Sequence, residues 1–319
     1  ACILANDFTA FFMLHRMNQP VMKGRCWHFM KEKRSFWIVG GDLRQIKLAE
    51  LLLEDGHQVQ TYAVEQRPEQ GKLPGTDTLR GIEEADCVIL PLPVMAEHGI
   101  LNSKLSDRRV PLQLIFQNLR PGQLVCAGKA PPEVRAMAEQ AEVVFFDYFA
   151  REELEIANAV PTVEGAIQIA MEELPTTLFG TRVLVLGFGR LGKLLAHRLK
   201  GLGANVTVAA RSYGDLAWIQ AYGYKSERME QLDGWLGGYQ LVINTVPARV
   251  LDRARLADLD EGTLVIDLAS KPGGVDFEGA AQLGVKVIWA LSLPGKVAPV
   301  TSGKIIRDTI YHILGERVQ

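Results

Sequence analysis

The chain has 319 residues, 48% of them hydrophobic and 23% charged, with 35 Lys and Arg against 37 Asp and Glu for a formal net charge of −2. That is the composition of an ordinary globular protein with chain enough for about two domains, and the balanced charge argues against a dedicated nucleic-acid binder. No apolar run approaches the ~18–20 residues of a membrane-spanning helix. Four scattered cysteines (Cys2, Cys26, Cys87 and Cys126) lack CxxC spacing and neighbouring His pairs, so no disulfide framework and no metal site is expected. A reducing, cytoplasmic setting fits that pattern.

Residues 1–34 differ in character from the rest. They carry Phe8, Phe11, Phe12, Trp27 and Phe29 without a helical or strand period, and the first basic residue, Arg16, follows the apolar stretch. A secretory signal would reverse that order. The segment is expected to be a poorly ordered extension, with the natural start at Met30.

Residues 35–158 read as one α/β unit. SFWIVGG at 35–41 is a short strand closed by a glycine pair. Leu43, Ile46, Leu48 and Leu51 to Leu53 then give a helical stripe that Gly56 would cap. Further strands are expected at 59–64, 87–93, 123–128 and 143–148, with a helix over 132–142 between the last two. Apolar strands alternating with helices predict a mostly parallel sheet covered on both faces. Residues 159–175 read as a linker helix that starts at Pro161 or Thr162.

The second unit, 176–296, repeats the alternation more clearly. Strands are expected at 181–186, 204–211, 241–246, 264–269 and 286–291. After them 297–319 carries Ile305, Ile306, Thr309, Ile310 and Ile313 at helical spacing, the pattern of a terminal helix returning to the first domain. Between the first two strands stands Gly187-Phe188-Gly189-Arg190-Leu191-Gly192, a full G-x-G-x-x-G. Such a hexad alone is weak. Opening a helix directly after an apolar strand, it predicts a Rossmann-type dinucleotide site, with the pyrophosphate at the helix amino terminus.

The end of the next strand bears on which dinucleotide. Roughly 20 residues on, where NAD enzymes place an acid for the ribose 2′-hydroxyl, this chain has Arg211 and Ser212 and no acid before Asp215. A guanidinium fork and a hydroxyl suit a 2′-phosphate, so NADP is expected and NAD is the alternative. Ligands of open α/β sheets sit outside the carboxyl ends of the strands, which adds Thr245, Val246 and Pro247 after one strand and Asp267, Ala269, Ser270 and Lys271 after the next. His98, His197 and His312 have no partner in the pattern, and no Ser-His-Asp order or HExxH is present.

Taken together, GGDLRQ (40–45), PTVEG (161–165), GFGRLG, AARS, NTVP, DLASKPGG and LPGKVAPVTSG (293–303) resemble the family of the dipicolinate synthase A subunit, in order from about Met30 to near the carboxyl terminus. The resemblance implies a two-domain oxidoreductase of sporulating bacteria. It would act with the dipicolinate synthase B subunit in the mother-cell cytoplasm to make pyridine-2,6-dicarboxylate from a lysine-pathway intermediate. A dicarboxylate needs cationic clamps, and the candidates are Arg44, Lys271 and Lys296, with Thr162 and Thr301 as hydroxyl donors and Glu164 as a proton acceptor. Lys271, Ser270 and Glu164 are the candidate catalytic residues. Arg44 and Lys271 are expected to face each other across the interdomain gap, with Thr162 on its floor, and the protein to form a homo-oligomer. Two other readings stay open. One is a two-domain oxidoreductase of the 2-hydroxy-acid dehydrogenase or adenosylhomocysteinase-like type, although no His lies near the cleft loops; the other is a dinucleotide-sensing regulatory protein.

Overall fold

Apolar runs too short for helices form the strands of two separate sheets in the computed structural model, which describes residues 32–65 and 73–317. The expectations for the amino-terminal extension concern residues 1–34, of which 1–31 lie outside the described residues. In chain order the first unit is β1 (Ser35–Val39), α1 (Leu43–Glu54), β2 (Gln58–Tyr62), β3 (Gly75–Thr76), β4 (Cys87–Ile89), the antiparallel pair β5 (Met95–Glu97) and β6 (Ile100–Leu101), α2 (Leu112–Gln117), β7 (Leu124–Ala127), α3 (Pro132–Gln140) and β8 (Val144–Asp147). Its main sheet is parallel in the order β3-β2-β1-β4-β7-β8. The chain winds outward from β1, returns to β4 on the other side, and winds outward again. The split between β1 and β4 is therefore the topological switch point, where such sheets bind ligands.

α4 (Glu152–Glu173) leads to the second unit: β9 (Arg182–Leu186), α5 (Arg190–Gly201), β10 (Asn205–Ala210), α6 (Tyr213–Ala221), β11 (Lys225–Arg228), β12 (Leu241–Asn244), α7 (Arg253–Ala257), β13 (Leu264–Asp267), α8 (Phe277–Leu283) and β14 (Lys286–Trp289). The sheet order is β11-β10-β9-β12-β13-β14, again parallel and doubly wound, with its switch point between β9 and β12. This is the Rossmann arrangement. α9 (Leu293–Val297) and α10 (Pro299–Glu316) close the chain.

α4 differs from the expected linker. It starts at Glu152 rather than near Pro161, with Glu152, Glu153 and Glu155 in the first turn where the helix dipole favours acids. Pro161 lies buried inside it. Tertiary packing overrides the local rule against interior proline, because the helix serves two cores at once. Leu154 joins the first-domain core, whereas Val163, Ala166, Ile167 and Ala170 join the second. The β5–β6 hairpin and α2 have no counterpart in the sequence reading; strands of 3 and 2 residues carry no usable period.

α10 buries Ile306, Ile310, Ile313 and Leu314 in the first-domain core, against α1. Gly303 permits the close crossing, since a Cβ there would lie 2.9 Å from the Leu48 nitrogen and 3.0 Å from the Arg44 carbonyl oxygen. A polar relay fastens the far end. The Arg34 main-chain N–H donates to Nδ1 of His57 at 3.3 Å, His57 Nε2 lies 3.0 Å from the Tyr311 hydroxyl, and that hydroxyl donates to Asp55 at 2.8 Å. This pattern selects the neutral Nε2–H tautomer.

His57 is only 5% exposed. Burial, opposed by Asp55 and reinforced by the Arg34 charge, holds its imidazole below the ordinary histidine value. An unfolded chain therefore binds the proton more tightly than the folded one. The stabilisation is fully present above about pH 6.5 and is lost as pH falls through the lowered folded value. Denaturant melts should show wild-type stability declining as pH drops below about 6.5, with a flatter profile for His57→Gln. Equal slopes for the two proteins would remove His57 from the acid response.

Candidate active site

The second switch point is built by glycines with different tasks. Gly187 ends β9 at φ +99°, and a Cβ there would sit 2.5 Å from Thr245 Oγ1. Thr245 in turn donates to the Leu186 carbonyl at 2.8 Å, so the ends of β9 and β12 are fastened together. A Cβ at Gly192 would overlap the Gly187 carbonyl, so α5 can lie on the turn only as glycine. Gly189 is different. Nothing lies within 4 Å of where its Cβ would be, and as N-cap of α5 it leaves the first-turn N–H groups without a side-chain cap.

A cleft of about 690 Å³ opens in front of that turn. Phe188, Leu191, Thr245, Val246 and Pro247 line it with the glycines, and Arg211 and Ser212 border it beyond β10. A dinucleotide pyrophosphate fits such donors and such space. Arg211 is exposed and makes no hydrogen bond or ion pair among the described residues. Ser212 is already engaged: its hydroxyl donates to Asp215 Oδ2 at 2.7 Å and accepts from the Asp215 N–H at 3.0 Å, capping α6. Arg190 also departs from a simple cofactor contact, since its guanidinium pairs with Glu152 at 2.8 Å and Glu155 at 2.6 Å on α4. The sequence reading missed Lys193 and the placement of Asp215, both of which line the cleft. Lys193 sits one residue past the hexad, where only the helix phase shows which way it points.

At the end of β13, Asp267 is fully buried and holds a loop rather than facing the cleft. It accepts from Asn244 Nδ2 at 2.8 Å and from the Ala269 and Gly274 N–H groups at 3.0 and 2.8 Å. Asp267 and Ala269, expected at the cofactor, are thus consumed by the loop's own geometry. Ser270 and Lys271 are left exposed on its outside.

The first-domain candidates are rearranged more deeply. Arg44 is 6% exposed, and its fork binds Asp42 through Nε at 2.9 Å and Nη2 at 2.8 Å, with a further hydrogen bond to the Leu92 carbonyl. Burial alone would raise the Asp42 carboxyl. The hydrogen bonds and charge of Arg44, with Lys104 adding to them, hold it below its ordinary value. Arg44 is therefore not a free clamp facing Lys271 across a gap, because its charge is spent on Asp42, two residues away. Thr162 donates to the Asn158 carbonyl at 2.8 Å, within its own helix. Glu164 is exposed and lies 3.4 Å from Arg198 on α5, an ion pair between helices rather than a waiting base. Lys296 and Thr301 are exposed on α9 and α10.

Comparison with known proteins agrees with this architecture. Residues 35–149 match the family described as the N-terminal domain of the dipicolinate synthase A subunit, and 148–271 match the NAD binding domain of D-isomer specific 2-hydroxyacid dehydrogenases. Over 282 residues the chain is 32% identical to the dipicolinate synthase A subunit of Bacillus subtilis (strain 168), covering 88% of this chain and 95% of that protein. The crystal structure of that Bacillus subtilis protein superposes with a TM-score of 0.80 at 31% identity, over 91% of this chain and 98% of that one. The crystal structure of the Bacillus halodurans counterpart gives 0.80 at 29% identity, over 88% and 97%. A transhydrogenase from Sinorhizobium meliloti, at 16% identity and TM-score 0.65 over 89% and 94%, shares the fold.

The open space at Gly189 makes a clean test. Gly189→Val should leave the melting temperature nearly unchanged while the new side chain projects into the cleft. Dinucleotide affinity should fall by about tenfold or more, as expected when close backbone approach to a pyrophosphate is blocked. Titration of the folded variant with NADP reads this directly, and unchanged affinity would reduce the hexad to a structural turn.

Proposed function

Because the chain belongs to the family of the dipicolinate synthase A subunit, we propose that it oxidises a dihydrodipicolinate to pyridine-2,6-dicarboxylate with NADP, working with the B subunit during spore formation. The observation that carries this reading is the uncapped amino terminus of α5 behind Gly189, opening on a cleft bordered by Arg211. When bound, the dinucleotide supplies the hydride acceptor. The substrate ring loses a hydride and a proton and becomes aromatic, so the reaction runs downhill and needs little covalent help. Orientation and exclusion of water are the protein's contribution.

The chain's own residues divide that work. The α5 N–H groups and the Gly187–Gly189 backbone hold the pyrophosphate, and Thr245 to Pro247 border the site beside them. Arg211 pairs with the 2′-phosphate. Asp215, the acid near this position, lines the same cleft with its carboxylate engaged by the Ser212 hydroxyl in the α6 cap, so the preference for NADP over NAD rests on Arg211. Lys271 and Lys296 offer point charges to the carboxylates, with Ser270 and Thr301 as hydroxyl donors. Arg44, Thr162 and Glu164 support the walls through the partners already described.

Two measurements test this. Full-length protein mixed with NADP and a freshly generated dihydrodipicolinate pool should produce NADPH absorbance, and addition of the B subunit should change the rate. Arg211→Ala should weaken NADP by about 10–100-fold, the loss of a charged hydrogen bond of ~1.5–3 kcal/mol, and leave NAD nearly unaffected. Equal losses for the two cofactors would sink the 2′-phosphate assignment.

A further inference from the structure

The first-domain switch point contains a polar group that the fold does not satisfy. Gln45 is 2% exposed, and both its amide nitrogen and its amide oxygen are buried without a hydrogen-bond partner. The Cβ and Cγ of Gln45 pass over Gly41, with Pro91 bordering the same point, so the residue stands at the carboxyl ends of β1 and β4. A Cβ at Gly41 would overlap the Gln45 side chain, and Gly41 has φ +101°, so glycine is required there on two counts. Leaving both halves of a buried amide unpaired carries the full desolvation penalty of each group. Burial of that kind in a ligand crevice calls for a ligand.

The surroundings limit what the ligand can be. Asp42 caps α1 and accepts from the Arg44 N–H at 3.1 Å, so this helix end offers no free phosphate site. The Arg44 fork already neutralises Asp42, which leaves Lys104, among the described residues, as the uncommitted cation close enough for its charge to act on Asp42. Asn102 and Ser103 form a strap against the Gly41 turn: the Gly41 N–H donates to the Asn102 carbonyl at 2.7 Å, and Ser103 bridges to Gly41. The same two residues border a cavity of about 220 Å³ that Lys104 also lines.

We propose that this crevice is the substrate half-site of the first domain, with the Gln45 amide and the Lys104 ammonium binding one carboxylate edge of the ring dicarboxylate. Lys104 supplies the charge. Gln45 donates through Nε2 to a carboxylate oxygen and accepts through Oε1 from a ring N–H or hydroxyl beside it. The strap gives way to admit the ligand, breaking the Gly41–Asn102 hydrogen bond. A ring that carries hydrogen on nitrogen, as a piperidine or an N–H dihydropyridine does, presents that donor, and the aromatic product does not. Gln45 thus holds substrate better than product, which favours release once the ring is aromatic. The assignment rests on the dicarboxylate reading given above.

The test is calorimetric binding of pyridine-2,6-dicarboxylate and of its saturated analogue piperidine-2,6-dicarboxylate to the full-length protein. Gln45→Met has similar volume and removes both unpaired polar atoms, so its stability should equal or exceed wild type. It should weaken the saturated probe by about tenfold or more and the aromatic probe less, with NADP affinity unchanged. Lys104→Ala, at an exposed position where folding is not at stake, should weaken both probes by similar factors. If wild type binds the probes and Gln45→Met binds both equally well, a buried water satisfies the amide and the inference fails alone. Should Gln45→Met not fold, undiminished binding by Lys104→Ala overturns it instead. Failure of wild type to bind either probe, with NADP binding intact, defeats the dicarboxylate reading and this site together.

Discussion

The buried pair between Asp42 and Arg44 is the constraint from which the first domain's geometry follows. Two residues apart at the start of α1, they meet through both Nε and Nη2, and the remaining Nη2 capacity reaches the Leu92 carbonyl beyond β4. One guanidinium thereby connects the end of β1 to the end of β4. A lysine has neither the planar fork nor enough directed donors to make this connection. Burying such a charge carries a desolvation cost, and removing one partner from a buried pair leaves a penalty of about 3–5 kcal/mol. Gly295 on α9 packs directly over the pair, since a Cβ there would lie 3.1 Å from Arg44 Nε and 3.2 Å from Asp42 Oδ2. The LPGK segment is thus seated on the first domain by an ion pair with a glycine lid.

From that seat the two domains are held by shared helices. Leu293 of α9 belongs to the second core, and Gly165 of α4 packs against it and Val297. α4 contributes to both cores in turn, and its acidic first turn pairs with Arg190 of the dinucleotide hexad. Glu164 and Arg198 repeat the connection farther along the helix. These pairs are exposed and individually weak. Their effect is geometric: the helix that joins the domains is fastened beside the turn that receives the cofactor.

What could be read from the sequence follows the range of the interactions involved. The hexad was legible because each glycine answers a local steric demand, and strand–turn–helix context is local too. Sheet order, the long α4 and the hairpin before α2 depend on partners far along the chain. Pro161 misled because its helix is stabilised by two cores rather than by its own sequence. Arg44 misled for the opposite reason. Its partner stands two residues away, yet only the fold shows that the fork turns back to Asp42 instead of outward. Asp267 likewise has the right position for a cofactor contact and the wrong direction. Gln45 gave no signal, because an amide becomes informative only when burial deprives it of water.

The two sheets share one winding, and their difference lies in the cap at the first helix. In the second domain the N-cap is Gly189, with no side chain to satisfy the helix N–H groups and open space where a Cβ would be. In the first it is Asp42, whose carboxylate occupies the α1 terminus and is itself neutralised by Arg44. A free helix end attracts phosphate; a capped and neutralised one has neither free donors nor net charge to offer it. Duplicated topology therefore does not duplicate ligand chemistry. The glycine cap makes a dinucleotide site, and the aspartate cap leaves the matching crevice to a ligand held by side chains.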